Sequence, residues 1–409
     1  MAVPKLRFKA DDGSDYPNLE ETKLDTLMAF KNGINASGDK FGRGTKCISV
    51  MDILNNSCIT YDVIKGEVDV DEKTLQNFSV EYGDAVFQRS SENVQDAGRA
   101  NVYMDKDRPA TFSGFVIRGK RIANYEPMFM NGLLNTFSVR KQIMSKAQGA
   151  QHINIGQEIL SSVRVNMPSL PEQQKIAEFL STIDTVIEKQ KETVSAWEER
   201  KKGVMQKLFN QEVRFKADDG SEFSEWEEKK LDEVMSVKDV KQIPTEEAPL
   251  MAFIAYQGVA EKGDRYDRSF LVKSDDKKYK RTDFNDFIYS SNNLDVGSIG
   301  LNKYGSAVIS VVYEIFTFND GFNPDCMNLL IQQPRIMSSI IRYRQGCLYG
   351  QYKIHSRDFL NVLISVPCHE EQQKIADCLV SFDEVIEKQK ATLAAWEELK
   401  KGLLQQMFV

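Results

Sequence analysis

The residues of this 409-residue chain best suited to chemistry are cations and side-chain amides rather than paired acids or metal ligands. Residues 99–146 hold nine basic groups (Arg99, Lys106, Arg108, Arg118, Lys120, Arg121, Arg140, Lys141, Lys146) against Asp105, Asp107 and Glu126. Residues 335–357 hold Arg335, Arg342, Arg344, Lys353 and Arg357 with no acid, interleaved with Tyr343, Tyr349 and Tyr352. A third run, KSDDKKYKR from Lys273, is less pure. Each half also contains a short apolar run that opens into a Ser/Asn/Gly-rich loop: GDAVFQRSSENVQDAGR from Gly83 and NDFIYSSNNLDVGSIG from Asn285. One basic stretch is an ordinary solvated face. One in each half, beside a polar loop, is better explained by phosphate contact with base reading from the loops, arginine suiting guanine and Asn or Gln suiting adenine.

Other chemistries lack their residues. There is no GxxxxGK[ST] phosphate loop, no GxGxxG, and no NPPY or DPPY run of the kind amino-methylating enzymes use. His152, His355 and His369 stand apart without metal-ligand spacing, so no metal site is expected. Glu21-Thr22-Lys23 has the ExK pattern of some nucleases but no preceding Pro-Asp. The six cysteines are widely spaced, which points to reduced, buried thiols in a cytosol. No apolar run reaches the roughly 18 residues that span a bilayer, and the N-terminus has no apolar signal core, so a cytoplasmic chain with no membrane partner is expected. The net charge of −7 opposes a wholly basic surface, but the acid excess lies in the second half and leaves room for local patches.

The elements that must carry these loops are marked by repetition. EQQKIAEFLSTIDTVIEKQK from Glu172 returns as EQQKIADCLVSFDEVIEKQK from Glu371, and residues 172–209 match 371–408 at 24 of 38 positions. RFKADDGS occurs at Arg7–Ser14 and again, letter for letter, at Arg214–Ser221. Apolar residues three and four apart make both long segments amphipathic helices, each about 57 Å long at 1.5 Å per residue. Gly203 and Gly402 mark places to break or to pack closely. Cys368-His369 stands before the second copy in place of Leu170-Pro171, leaving that helix free to start differently. A rod with one apolar stripe needs a partner, and the second copy supplies it. The expectation is an antiparallel coiled coil through Ile176, Ile183, Ile187, Trp197, Ile375, Phe382, Ile386 and Trp396, with Gln190 and Gln389 setting register. The bland alternative buries each helix on its own domain. The fold class is therefore α+β with a pseudo-two-fold internal repeat: mixed α/β domains at 1–167 and 211–366, separated by helices at 168–210 and 367–409. Within the domains, alternation predicts strands in TFSGFVIRG from Thr111 and SAVISVVYEIFTF from Ser306, and the run from Glu126 reads as one helix ending at Gly149.

LPEQQKIAEFLSTIDTVIEKQKE, preceded by MPSLP at Met167, resembles the central conserved region of type I restriction-modification specificity subunits, and VPCHEEQQKIADCLVSFDEVIEKQK resembles their C-terminal one. The resemblance covers essentially the whole chain. It implies a non-catalytic DNA-reading subunit whose two target-recognition domains each read one half of a split asymmetric site in double-stranded DNA. Paired helices would hold the halves apart; sites on one face of a duplex lie about 34 Å apart per turn. Two adenine-N6 methyltransferase subunits would dock, restriction subunits would join, and S-adenosylmethionine would sit on the methyltransferase, with no cofactor on this chain. The residues expected at DNA are Gln88, Arg89, Asn93, Arg99, Arg118, Lys120 and Arg121 in the first domain. In the second they are Asn292, Asn293, Lys303, Arg342, Arg344 and Lys353. The rival reading is a coiled-coil scaffold that binds only proteins, which predicts no sequence-dependent, salt-sensitive DNA binding.

Overall fold

Both halves of the chain build the same antiparallel sheet from short runs of alternating apolar residues. The computed structural model describes residues 4–149, 152–261, 277–290, 294, 298–348 and 351–408. The chain divides into two units, residues 1–193 with 389–409 and residues 194–388. In the first, Met28–Asn32, Val116–Arg121, Ala85–Gln88 and Ala100–Val102 lie in that spatial order. In the second, Met235–Val237, Tyr313–Phe318, Phe287–Ser290 and Ile299–Leu301 repeat it. Successive side chains of a strand point to opposite faces, so Ala85 and Phe87 enter one core while Val86 enters another with Ile48, Tyr103 and Phe112. Phe287 and Tyr289 likewise part from Ile288. Before each of these strands the backbone turns through a positive φ, +88° at Gly83 and +68° at Asn285. Glycine and asparagine tolerate that conformation best.

A second pairing launches each long helix. Glu20–Lys23 pairs with Arg164–Met167, and Glu227–Lys230 with Leu363–Val366, all antiparallel. Helices then run over Leu170–Phe209 and His369–Met407. Counted from the shared EQQ, the residues opposite Leu170-Pro171 are His369-Glu370 rather than Cys368-His369, and both helices start at the equivalent position, Leu170 and His369. Gly203 and Gly402 lie inside the helices with open space where a side chain would be, and neither breaks its helix.

One local expectation needs correction and another is met. The run from Glu126 is two helices, Pro127–Leu134 and Phe137–Met144, because Asn135 donates its side-chain amide to Ala100 O (2.9 Å) and Thr136 takes an extended conformation. AVISVVYEIFTF holds strands, as its alternation predicts: Ala307–Ile309 and Tyr313–Phe318, which belong to different sheets and are joined by a turn at Ser310–Val312. The turn begins at polar Ser310, and Val311 and Val312 are left exposed.

The two sequence repeats meet each other. In the first unit Arg7 donates from Nε and Nη2 to the two carboxylate oxygens of Glu172, at 2.9 and 2.6 Å. In the second unit Arg214 does the same to Glu371, at 3.1 and 2.8 Å, and Trp226 Nε1 adds a third donor at 3.0 Å. Both glutamates are 1% exposed, in the first turn of a helix, where the backbone dipole favours an anion. Lys175 Nζ donates to Lys9 O and Asp11, and Lys374 Nζ to Lys216 O and Asp218. Gln173 accepts from Glu126 N and donates to Pro168 O, as Gln372 does with Asn323 N and Pro367 O. Glu, the first Gln and Lys of EQQK thus each tie the helix to its own unit. Leu6 N donates to Gln406 O, and its counterpart Val213 N donates to Lys207 O.

Within each unit the two long helices also touch, and in the first they do so in opposite chain directions. In the first unit Gln190 Nε2 donates to Gln389 Oε1 at 2.8 Å, Lys191 faces Glu397 at 3.8 Å, and Lys400 pairs with Asp184. In the second, Trp197 meets Phe382 edge-on with centroids 5.9 Å apart, and Lys201 donates to Asp383 at 2.6 Å. Ile183, Ile187 and Ile386 are buried, while Trp197, Phe382 and Trp396 are half-buried. Ile176 joins the first unit's main core, and Ile375 packs with Leu208 and Cys326.

Truncating one partner of a buried ion pair strands the other charge, at a cost of about 3–5 kcal/mol. Glu172→Ala and Glu371→Ala are each expected to lower unfolding free energy by about that amount, the second more because it strands Trp226 as well. Denaturant titration measures this, and a loss below about 1 kcal/mol in both would show the clamp to be a surface pair in energetic terms.

Candidate nucleic-acid interface

The residues expected at DNA in the first unit are scattered over separate environments. Gln88 and Arg118 face the interior, at 5% and 6% exposure. Gln88 Nε2 donates to Ser90 O. Arg118 donates to Ser79 O and lies over the Phe112 ring, and burial pulls its guanidinium below the usual arginine range. These two offer no donors to a bound molecule. Arg121 is half-buried and braced on Ala123 O, Asn124 and Tyr125 O, and Lys120 lies 3.9 Å from Glu81.

Arg99 and Asn93 stand at a second place. Asn93 caps its own turn through Asp96, and Arg99 Nε lies 3.7 Å from the same carboxylate. Arg99 lines a cleft of about 1150 Å³ with Arg140, Phe137, Lys400 and Lys401. Arg140 donates to Gln95 O, and its guanidinium is pushed down to about 10 by burial first and by the charge of Arg99 second. The exposed Phe137 carries Lys141 over its ring at 5.9 Å.

Arg89 stands at a third. It lines a cleft of about 490 Å³ with Asn32, Gln148, Asn154, Gln157 and Glu158. Its Nη1 donates to Gly114 O at 3.2 Å, and it makes no ion pair among the described residues. Of the lining side chains, only Arg89 was anticipated from sequence. Asn32 and the Gln148/Asn154 turn come from segments far from Arg89 in the chain and carry no local signal.

In the second unit Lys303 donates to Asn285 Oδ1 at 2.8 Å, lies 2.7 Å from Asp325, and sits over the Phe284 ring. Lys106 covers Tyr82, the first unit's counterpart of Phe284, in the same way. Arg342 and Lys353 are exposed, and Arg344 is half-buried at the end of the helix Pro334–Ile341. Asn292 and Asn293, part of the run from Lys273, and Tyr349 lie outside the described residues. Glu21-Thr22-Lys23 is strand, with Glu21 3.5 Å from Arg164. Among the described residues no group of three or more His, Cys, Asp and Glu stands together, and no helix is long and apolar enough to cross a membrane.

A family model described as the type I restriction modification DNA specificity domain matches residues 53–195 and 223–395. The chain belongs to that family. A putative type I restriction enzyme MjaX specificity subunit of Methanocaldococcus jannaschii is 24% identical over 97% of this chain and 94% of its own length. The MjaVIII specificity subunit of the same organism is 24% identical over 64% of each chain. The S subunit crystal structure from M. genitalium superposes with a TM-score of 0.53 at 14% identity, covering 100% of this chain and 99% of that one. As a specificity subunit the chain is a DNA-recognition component of a type I system and not its catalytic one. The first matched stretch covers the first domain from residue 53 onward and the second covers nearly all of the second domain, each with most of the long helix that follows.

Arg118 belongs to the specificity subunit's scaffold by this geometry. Arg118→Ala removes the donor from Ser79 O, and a buried group left unpaired costs about 1–3 kcal/mol. The expected outcome is a lower melting temperature with the recognised DNA sequence unchanged, read by calorimetry and by sequencing of methylated sites.

Proposed function

We propose that this chain reads a bipartite, asymmetric sequence in double-stranded DNA, one half through each unit. Its long helices form an antiparallel coiled coil that sets the separation of the halves. Two adenine-N6 methyltransferase subunits, carrying S-adenosylmethionine, dock on this framework, and restriction subunits join them. The observation that carries the reading is the paired repeat: one framework built twice, with the clamp residues kept and the loop residues changed. Arg89 in the first unit aligns with Ser291 in the second within the GDAVFQRS and NDFIYSSN matches. A framework that is two-fold in its scaffold and unlike in its loops suits two identical partners on a non-palindromic site. Helix contacts between equivalent residues, Gln190 with Gln389 above all, support the antiparallel pairing.

Of the remaining candidates, Arg89, Asn93, Arg99 and Lys120 in the first unit, and Lys303, Arg342, Arg344 and Lys353 in the second, are proposed to approach DNA. Co-expression with an adenine methyltransferase subunit of the same system, followed by methylome sequencing, is expected to return one bipartite motif. Scattered methylation, or none beyond the methyltransferase alone, would falsify the reading. Ile183→Asp combined with Ile386→Asp puts two charges into buried helix positions. That double variant is expected to lose co-purification with the methyltransferase subunit, and full retention would count against the coiled coil.

A further inference from the structure

Resting on the reading above, we infer that the 490 Å³ cleft around Arg89 is where the first unit reads base edges, with Arg89, Gln148 and Asn154 as specificity-determining residues. Three observations converge on it.

The first is composition. The cleft is lined by one arginine, four carboxamides (Asn32 from one segment and Gln148, Asn154 and Gln157 from another), and one acid, Glu158. One cation and one anion leave it near neutral. A phosphate site needs surplus positive charge, whereas a base edge is an uncharged pattern of donors and acceptors. Arginine matches guanine O6 and N7, Asn and Gln match adenine N6 and N7, and a carboxylate accepts from cytosine N4.

The second is rigidity of the backbone beneath the side chains. Arg89 N donates to Phe115 O at 2.9 Å, and Ile155 N donates to Arg89 O at 3.0 Å. Gln148 and Asn154 exchange backbone hydrogen bonds at 3.0 and 2.7 Å. Asn154 is further held by Ser90 Oγ and by donation to His152 O. The Gln157 amide spans Phe30 O (3.0 Å) and Asn32 N (3.3 Å), which ties the floor to the end of the sheet. Base reading rewards this arrangement, because pre-positioned side chains lose little freedom on binding.

The third is what remains unused. Arg89 meets only Gly114 O through Nη1, and the Gln148 amide is exposed with no hydrogen bond among the described residues. Beside them Phe115 is 66% exposed at the turn between two strands, and a Cβ on Gly114 would overlap Asn35 Oδ1, which fixes that turn tightly. An exposed aromatic next to an arginine and the free Gln148 amide suits the thymine methyl.

The test uses the full chain co-expressed with its methyltransferase subunit. Arg89→Ala, Gln148→Ala and Asn154→Ala are compared with wild type by methylome sequencing and by methylation rates on duplexes changed one base at a time. The expected result is relaxation at one or two positions within a single half of the motif, with discrimination there falling about 5- to 150-fold and the other half unchanged. Arg43→Ala, at a pair exposed on both sides, is expected to leave the motif intact. Melting temperatures within about 2–4 °C of wild type establish that the variants fold. A wild-type bipartite motif that survives in all three variants overturns the cleft assignment alone. Uniform loss of rate across all sites with a shallower salt dependence also overturns it, since that is the mark of phosphate contact. No motif with the wild-type chain overturns the parent reading and this inference with it.

Discussion

A buried carboxylate gripped by an arginine fork is the interaction on which the rest of this protein depends. Glu172 and Glu371 lie in the first turns of the long helices, almost wholly removed from water. Desolvating an isolated carboxylate is prohibitive, so each requires a cation in fixed geometry. An apolar pair would bury as well, but it would tolerate sliding. A two-pronged guanidinium contact does not, because both N–H groups must face both oxygens. The fork therefore sets where the RFKADDGS segment crosses the helix, and Lys175 and Lys374 fasten the far end of that segment. Since the neighbouring Gln173 and Gln372 hold the N-caps of the helices Pro127–Leu134 and Pro324–Ile331 through Glu126 N and Asn323 N, the orientation passes through those helices to the sheet strands they pack on.

From that constraint the division between repeated and unrepeated residues follows. The residues kept in both copies, Arg, Glu, Gln and Lys of the two motifs, are those whose hydrogen bonds define the framework. Residues that differ include Arg89, where the second copy has Ser291, and Arg89 lies just past the strand that the framework positions. Backbone geometry is shared and side-chain chemistry is not. The same strand order, the same left-handed turn before the central strand and the same cation over an aromatic at Tyr82 and Phe284 recur in the two units. Recognition can thus diverge without disturbing the fold.

The long helices were legible because each copy carries apolar residues at helical spacing over many turns and the two copies corroborate one another. The clamp was not, since Arg7 and Glu172 are 165 residues apart and either motif alone reads as a solvated, charged stretch. Arg118 was misleading for a reason visible afterwards in its neighbours: Val116, Ile117 and Gly119 are all buried, so the strand has no wet face at that point. The Asn135-Thr136 pair in the middle of the run from Glu126 was the available sign of two helices rather than one, as both residues favour bonds that compete with the helix. The Arg89 cleft had no such sign. It exists only because pairing of Ser90–Ser91 with Ile153–Asn154 brings Arg89 to Gln148, Asn154 and Glu158.

An acidic protein that reads DNA looks contradictory until its cations are followed to their partners. Much of the apparent basic surface is already neutralised within the fold. Arg108 is held by Asp62 and Asp105, Lys238 by Asp283 and Asp286, and Lys303 by Asp325. The carboxyl of Asp283, despite partial burial, is held well below the usual range by Arg281, Lys238 and Ser306, so it stays ionised and keeps its lysine engaged. Cations bound this way contribute no counterion release, which is the main source of non-specific affinity for a duplex. What the first unit retains is a near-neutral cleft suited to discriminating bases and a separate, more basic cleft near Arg99. Discrimination and affinity are then separable properties: this chain is equipped chiefly for the first, and on the proposed assembly its partners supply the larger part of the second.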